Sequence, residues 1–556
     1  MKCGYNSKEM QERPFTISGN LVDVAAGRIF PGTLHIESGR IVRIVPESKE
    51  QETFITPGLV DAHVHIESSM LTPAEFARVA LTHGTISAVC DPHEIANVLG
   101  MPGIIYMLDN ARTSPFKFAF GAPSCVPATA FESSGAAIGA AEEASLLERQ
   151  EITHLSEVMN YPGVINRDPE VMAKIELAKR VLKPIDGHAP GLRGKNLKRY
   201  VEAGITTDHE TSDLGEALEK IHLGMKILIR EGSAAKDLDA LHSLLETHSD
   251  MCMFCSDDKH PDDLAKGHLD VMARKAIKMG HDPMRVLRCA CMNPVNHYGL
   301  KAGLLRQGDP ADFLVLDSLE EFKVRKTYIR GVLASVNGRP TLSHEQPGLI
   351  NRFNARPRVI EDFAIRAGTG PANIIEVNDG SLLTGWITEI PVVDGGLAMA
   401  DPRRDILKIA VVNRYRDMPP ALGFVKGFGL IKGAIASSVA HDSHNIIAVG
   451  ASDEDICRSV NSIIAHKGGL AVACGDLCEV MPLPIAGLMS DADGWELAGS
   501  YSSIQSRARE LGSPLTSPFI TLSFMALLVI PSLKVSDRGL FDVQRFSHID
   551  LFMKYN

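Results

Sequence analysis

The stretch Pro57-Gly58-Leu59-Val60-Asp61-Ala62-His63-Val64-His65 decides the fold, because it places two histidines, one residue apart, at the end of an apolar run. Side chains two positions apart on an extended strand point to the same side, so His63 and His65 can bind one metal ion from a rigid strand end. A His-x-His pair also occurs by chance. The metal prediction therefore depends on what the other strand ends of the chain carry.

Length, composition and charge describe a large globular chain. Its 556 residues exceed one ordinary domain, and 45% hydrophobic with 22% charged residues can supply a sizeable core. A net charge of -11 without basic, aromatic-rich runs argues against nucleic acid and membrane as partners. The start Met1-Lys2-Cys3-Gly4-Tyr5 leads into polar residues without a signal-peptide core, and ten scattered cysteines are typical of reduced thiols. We therefore expect a cytoplasmic protein.

The order of predicted elements divides the chain into four segments. Short alternating strands in residues 1–56 predict the N-terminal part of a small β-sandwich domain. Residues 57–304 alternate strands and helices eight times, which favours an α/β fold with a (β/α)8 barrel. A doubly wound sheet would need a Gly-rich phosphate loop after the first strand, and none is there. Residues 305–350 return to strand pattern and predict the rest of the β-sandwich, and residues 351–556 predict a C-terminal α/β domain.

The apolar runs and their periodicity give approximate bounds for the barrel elements. We expect the eight strands near Phe54–Val60, Thr85–Cys90, Lys117–Ala122, Thr153–Val158, Lys183–Gly187, Ile205–Asp208, Lys226–Arg230 and Met251–Ser256. Helical patterns between them include Pro73–His83, Pro169–Leu182 and Asp262–Met279.

Five of these strand ends carry metal-binding residue types. A barrel gathers the C-terminal ends of its strands on one face, so side chains that follow different strands meet there. Four imidazoles and two carboxylates on one face are enough to hold two metal ions bridged by a carboxylate. Any one of them has an alternative explanation as a cap or a core residue, but six in register favour a metal centre. The predicted ligands are His63, His65, Glu157, His188, His209 and Asp257.

Longer motifs carry a family resemblance. The barrel segment contains Asp61-Ala62-His63-Val64-His65-Ile66-Glu67-Ser68-Ser69-Met70, Asp91-Pro92-His93-Glu94-Ile95-Ala96-Asn97-Val98 and Met159-Asn160-Tyr161-Pro162-Gly163-Val164-Ile165. The C-terminal segment adds Gly427-Phe428-Gly429, Ala440-His441-Asp442-Ser443-His444-Asn445 and Pro482-Leu483-Pro484-Ile485-Ala486-Gly487-Leu488-Met489-Ser490. By these motifs the chain resembles the adenine deaminase family of the amidohydrolase superfamily. Many superfamily members bridge their metals with a carboxylated lysine on strand four, whereas this chain has Glu157 there, in agreement with the adenine deaminase pattern.

The resemblance implies hydrolytic deamination of adenine to hypoxanthine and ammonia, in purine salvage, by a hydroxide held between two divalent metal ions. It implies manganese or iron(II), and the donor types also suit zinc. Such chemistry needs proton carriers beside the nucleophile. We assign that role first to Asp257, and we expect Glu94 or His93 to protonate a ring nitrogen. A helix N-terminus after Asp91-Pro92 is the alternative explanation for His93 and Glu94.

Seven further polar residues are candidate substrate contacts. Arg230, Glu231 and Ser233, around the end of strand seven, can instead form a salt-bridged rim. Asp258 can instead orient its neighbour Asp257 or cap the next segment. Those in the C-terminal polar turn can instead form a local hydrogen-bonded loop. The candidates are Arg230, Glu231, Ser233, Asp258, His441, Ser443 and His444.

Two other functions stay open at this point. An amidohydrolase that acts on another aminated base or on a cyclic amide would share the fold and the metal ligands, so only the pocket can distinguish it. A non-catalytic barrel scaffold would have lost ligands, and none of the six is missing. We further expect a homo-oligomer that binds a small-molecule substrate.

Overall fold

The computed structural model describes residues 14–554 and arranges eight parallel strands around a barrel-like centre. Five of these strands form one sheet and three form another. Backbone hydrogen bonds of 2.9 Å join the sheets at both edges, from Thr206 N to Ile185 O and from Asp257 N to His63 O. Barrel strands one to eight are Leu59–Val64, Thr85–Cys90, Lys117–Ala122, Ile152–Val158, Ile185–Gly187, Thr207–Asp208, Lys226–Arg230 and Cys252–Cys255. The predicted barrel-like α/β fold is confirmed. The stretch Met1-Lys2-Cys3-Gly4-Tyr5 lies outside the described residues.

Strand one begins later than predicted. The sequence predicted one strand over Phe54–Val60, whereas Gly58 separates Phe54–Pro57 from Leu59–Val64. Phe54–Pro57 pairs outside the barrel, with Phe313–Leu316. A Cβ atom on Gly58 would lie 2.4 Å from Ile86 Cγ1, so the chain changes sheets at a point of close contact with strand two. The predicted end of strand one was wrong, because the strand continues through His63 and Val64.

The helices lie outside the strands, and one prediction among them is wrong. Two of the predicted helices are present as Pro73–Thr82 and Pro169–Arg180. The third is split into Pro261–Lys266 and Leu269–Lys278, because buried His268 turns inward and hydrogen-bonds Asp61 at 2.9 Å. The other helices of this segment are His93–Leu99, Met101–Ala111, Ala140–Leu147, Tyr161–Asn166, Gly194–Glu202, Leu214–His222, Leu238–Leu241, Leu244–Thr247, Pro283–Leu287 and Asn293–Tyr298.

A second sheet combines strands that precede the barrel with strands that follow it. This sheet has a separate apolar cluster, which includes Leu21, Leu34 and Phe313. The order of its eight strands is Arg339–Pro340, Val332–Val336, Val324–Ile329, Phe313–Leu316, Phe54–Pro57, Phe15–Asp23, Arg28–Glu37 and Arg40–Pro46. The β-sandwich and the four domain boundaries stay predictions.

The C-terminal region contains a further eight-stranded sheet and packs on the barrel. Ile95 and Val98 of the barrel segment share one buried apolar cluster with Tyr415 and Phe428. The sheet order is Gly385–Glu389, Ala372–Glu376, Ala421–Lys426, Ile406–Val412, Ile446–Gly450, Ala434–Ser437, Gly469–Cys474 and Leu477–Pro482. Helices Asp453–His466, Gly494–Glu510 and Pro518–Phe524 and the short strands Ile365–Arg366, Val392–Asp394, Leu397–Met399, Leu533–Ser536, Gly539–Asp542 and Ser547–His548 complete the region. None of the described helices is both long and apolar enough to span a membrane.

The close contact at Gly58 gives a test of the fold. We expect Gly58→Ala to lower the free energy of unfolding by about 1–3 kcal/mol, because the added methyl group overlaps Ile86. Gly58→Ala should lower the free energy of unfolding by less in an Ile86→Ala background, because Ile86→Ala removes the overlapping atoms. Gly499→Ala, at an exposed helix position with open space around it, is the matched control and should be neutral or stabilising. Wild-type thermal and urea midpoints in Gly58→Ala would contradict the close packing.

Candidate metal centre

The six predicted ligands lie together at the C-terminal ends of the barrel strands. All eight strands run in the same direction, so their carboxyl ends share one face. Two of the side chains lie within strands one and four, and the other four follow a strand by one or two residues. The structure brings together His63, His65, Glu157, His188, His209 and Asp257, all of them buried.

The carboxylate of Glu157 lies at the centre of this cluster. Its Oε2 is 2.5 Å from His188 Nδ1 and 3.2 Å from His209 Nε2. Its Oε1 is 3.2 Å from His65 Nε2. Both oxygens therefore face imidazoles, and these come from strands one, five and six. Glu157 is therefore placed where it would hold cations together with these imidazoles.

Asp257 lies on the other side of the strand-one histidines. Its Oδ1 is 3.3 Å from His65 Nε2 and 3.7 Å from His63 Nε2. Its Oδ2 accepts a hydrogen bond of 3.0 Å from Arg230 Nη1. The backbone of Asp257 has a φ of 52°, in the left-handed region, and it pairs with strand one. The two carboxylate oxygens thus have different partners, the histidines on one side and a guanidinium on the other.

The electrostatics differ between the imidazoles of the cluster. Burial lowers the pKa of His63 well below its usual value, and the neighbouring His209 and His65 lower it further, so this ring is neutral. For His65, His188 and His209 burial also lowers the pKa, but the carboxylates beside these rings outweigh it and raise their pKa values, that of His209 to about 9. Burial raises the pKa of the two carboxylates, Glu157 and Asp257, but the imidazoles beside them outweigh it and hold both pKa values well below the usual range. Both carboxylates are ionised at neutral pH.

The donor atoms fit divalent cations. The Nε2 atoms of His63 and His65 lie 3.2 Å apart, and the rings of His63 and His209 stack with centroids 4.1 Å apart. Buried imidazoles that face one another in this way form a candidate metal-binding cluster. Several groups of these side chains hold ligand atoms within 4.8 Å of one another, among them His63 with His65 and Asp257, and His63 with Glu157 and His209. Imidazole and carboxylate donors without thiolates suit manganese, iron or zinc.

Three acidic residues of the site were not singled out from the sequence. Glu210 Oε1 lies 3.6 Å from His209 Nε2 and accepts a 2.6 Å hydrogen bond from Arg230. Its position directly after a predicted ligand was the available signal. Asp91 Oδ2 is 3.2 Å from His93 Nδ1, at the end of strand two. Asp442 comes from the C-terminal region, and its position between the candidates His441 and Ser443 was the available signal.

His93 and Glu94 open the helix His93–Leu99 directly after strand two. Asp91 Oδ1 accepts a 3.1 Å hydrogen bond from the backbone N–H of His93, so the helix-start explanation describes the local structure. The His93 side chain nevertheless faces the cluster, with Nδ1 3.5 Å from Glu157 Oε1. The two oxygens of Glu94 accept hydrogen bonds from His441 and His444. Both side chains are therefore at the site, and their catalytic roles stay a prediction.

A cleft opens onto the ligand cluster, and the barrel and the C-terminal region line different parts of it. The barrel contributes the charged groups, among them His93, Arg230 and Asp258. The C-terminal region contributes His441 and Asp442 together with an apolar wall. The wall consists of Leu382, Phe524, Leu527, Val529 and Ile530. A flat molecule with apolar faces and polar edges suits this lining.

The strand-seven candidates have different positions. Arg230 lines the cleft, where carboxylates of Glu210, Asp237 and Asp257 hold its guanidinium at 2.6, 2.8 and 3.0 Å. The side chain of Glu231 lies 3.4 Å from Lys275, as in the salt-bridged alternative.

The remaining candidates are also held by protein contacts. Ser233 donates a 2.7 Å hydrogen bond to Asp263, and Asp258, in the cleft, accepts a 2.5 Å hydrogen bond from Ser68. In the C-terminal turn, His441 lines the cleft, and His444 binds Glu94. Ser443 accepts a 3.3 Å hydrogen bond from Asn445.

Comparison with known proteins covers both parts of the site. Residues 54–334 match the family model described as the amidohydrolase family, and residues 381–547 match that of the adenine deaminase C-terminal domain. A protein named adenine deaminase from Salinibacter ruber is 52% identical, over 97% of this chain and 99% of its own. Its namesakes from Sulfurovum sp. and Borreliella burgdorferi are 54% and 43% identical, each over 96% of this chain and 99% of their own. The chain belongs to the adenine deaminase family of the amidohydrolases.

Proposed function

We propose that this chain hydrolyses adenine to hypoxanthine and ammonia in purine salvage. The observation that carries the proposal is the buried cluster around Glu157, where four imidazoles and two carboxylates meet at the base of a cleft. Relatives that are 52% and 54% identical over nearly the whole chain are named adenine deaminases, which supports adenine as the substrate. The apolar wall and polar edges of the cleft suit a purine base.

We propose that the cluster holds two divalent ions, manganese or iron(II), with zinc as a third choice, because its donors are nitrogen and oxygen without sulfur. When bound, the ions lower the pKa of a water molecule toward 7, so that a nucleophile is available at neutral pH. Their ligands are His63, His65, Glu157, His188, His209 and Asp257.

The proton transfers fall to the carboxylates and imidazoles of the cleft. Conversion of adenine to hypoxanthine moves one proton of the attacking water to the amino group and the other to the ring. Asp257 is ionised and lies against the strand-one histidines, so it accepts the first proton and passes it to the leaving ammonia. Arg230 fixes its second oxygen. His93, with Glu94 beside it, delivers the proton that ends on the ring nitrogen.

A cytoplasmic location and a homo-oligomeric assembly stay predictions from the sequence.

A substrate panel tests the proposed function. The manganese-loaded protein should release ammonia from adenine and form hypoxanthine, and it should leave adenosine, cytosine, guanine and dihydroorotate unchanged. Ammonia and the products are measured by an enzyme-coupled assay and by chromatography. Turnover of another base, or of the cyclic amide dihydroorotate, in place of adenine would overturn the substrate assignment.

A second test concerns Asp257. We expect Asp257→Asn to lower kcat about 10²- to 10⁴-fold, because the amide cannot accept a proton from water. Metal content is measured on the same samples, since loss of a ligand also lowers activity. Asp239→Asn is the matched control, because its carboxylate is exposed and, within residues 14–554, pairs with Lys275 alone. A metal-loaded Asp257→Asn protein that keeps more than about a tenth of wild-type kcat would remove Asp257 from this role.

A further inference from the structure

A buried imidazole from the C-terminal region lines the cleft beside the metal centre. His441 borders the same cleft as His65, Glu157 and Asp257. Its ring stacks on Phe524 with centroids 4.7 Å apart and an interplanar angle of 18°, and its backbone N–H donates to Ser523 O at 3.2 Å. Position and ring plane are therefore fixed before any substrate arrives.

The two ring nitrogens of His441 have different surroundings. Nδ1 is 2.5 Å from Glu94 Oε1, a contact that joins the C-terminal region to the barrel. Nε2 has no hydrogen-bond partner among the residues that the structure describes. Polar groups of a protein interior are almost always hydrogen-bonded, so an imidazole N–H left open on a cleft marks a place for a ligand atom.

Charge makes Nε2 a donor. Burial lowers the pKa of His441, but the Glu94 carboxylate outweighs it, helped by Asp258 and Asp442, and the pKa rises to about 9. At neutral pH both ring nitrogens therefore carry a proton. Hydrogen bonds from a charged donor are roughly twice as strong as those between neutral groups.

His444 provides an internal comparison on the same carboxylate. Its Nε2 binds the other oxygen of Glu94, and its Nδ1 accepts a 3.3 Å hydrogen bond from Ala440 N. Burial lowers its pKa to about 4, so this ring is neutral. Both nitrogens of His444 are thus used within the protein, whereas His441 keeps one for the cleft.

The atom that Nε2 can reach in the cleft must be an acceptor. The unprotonated ring nitrogens of a purine are acceptors, and they lie in the plane of the ring, away from the faces that the apolar wall can cover. We propose that His441 Nε2 donates a hydrogen bond to a ring nitrogen of the bound purine, so that the C-terminal region recognises the base that the barrel deaminates. This inference rests on the proposed function, because it names a contact of the same substrate.

The test removes each partner of the proposed hydrogen bond in turn. His441→Phe keeps a flat ring against Phe524 and removes both nitrogens. The ligands are adenine and three analogues, 1-deaza-, 3-deaza- and 7-deazaadenine. Each analogue replaces one ring nitrogen of adenine by carbon. We measure KM for adenine and the inhibition constant for each analogue. In the wild-type protein, one analogue should bind about 10- to 100-fold more weakly than adenine. His441→Phe should raise KM for adenine by a similar factor, with a smaller effect on kcat, and should bind that analogue no more weakly than wild type does.

Two further variants accompany these measurements. His444→Gln disturbs the same Glu94 carboxylate but not the proposed contact, so its losses should be equal for adenine and all three analogues. If His441→Phe does not fold, His441→Gln replaces it, because its amide can still hydrogen-bond Glu94 while the side chain is too short to place a charged donor in the cleft.

Other outcomes overturn the inference. Equal losses for all ligands in the His441 variant would show that no ring nitrogen is contacted. A third equivalent of manganese that disappears in the His441 and His444 variants would show instead that Glu94 and these two histidines hold a cation. Failure of the wild-type protein to deaminate adenine would reject the proposed function itself. If the wild-type protein is active, but the losses in affinity from the His441 variant and from the analogue simply add, only the role of His441 is rejected.

Discussion

One buried carboxylate, that of Glu157, determines how the site is built. It faces imidazoles from three barrel strands at 2.5 to 3.2 Å, in an interior where an unpaired charge would be costly. Such an arrangement needs strand ends that are held in register. The closure of the barrel between His63 and Asp257 supplies that register, because the backbone pairing that closes it also places Asp257 beside the strand-one histidines.

The C-terminal region is part of the same site. It shares a hydrophobic core with the barrel, it supplies the apolar wall of the cleft, and its His441 and His444 bind Glu94 of the barrel segment. In the function that we propose, the chemistry and the recognition of the base are divided between the two regions. A substrate enclosed between them exchanges water for fixed protein groups, which strengthens every electrostatic interaction in the cleft.

The parts of the fold that the sequence predicts well depend on local patterns. The bounds of Thr85–Cys90, Lys117–Ala122 and Lys226–Arg230 are the predicted ones, because each apolar run is bounded by polar or turn residues. Periodicity did not locate the break at Gly58, since apolar residues continue on both sides of it, and only the structure shows that the backbone there lies against Ile86.

Contacts between distant segments set the limit of prediction for the site. The meeting of the six candidate ligands could be predicted, because strand ends of a barrel must meet. The apolar wall of the cleft could not be predicted, because its approach to the barrel depends on how the C-terminal region packs. The split of the helix after Pro261 has the same origin, since His268 leaves the helical path to reach Asp61.

The most direct test of this account is a metal titration of the apo-protein in buffer free of carbon dioxide. Strand four, Ile152–Val158, contains a glutamate and no lysine, so the bridge that we propose between the ions needs no carboxylation. Manganese or iron(II) alone should restore full activity at two ions per chain. Glu157→Gln should bind the pair more weakly, because a neutral amide leaves the repulsion between two cations less compensated. A requirement for bicarbonate, or wild-type affinity for two ions in Glu157→Gln, would contradict the account.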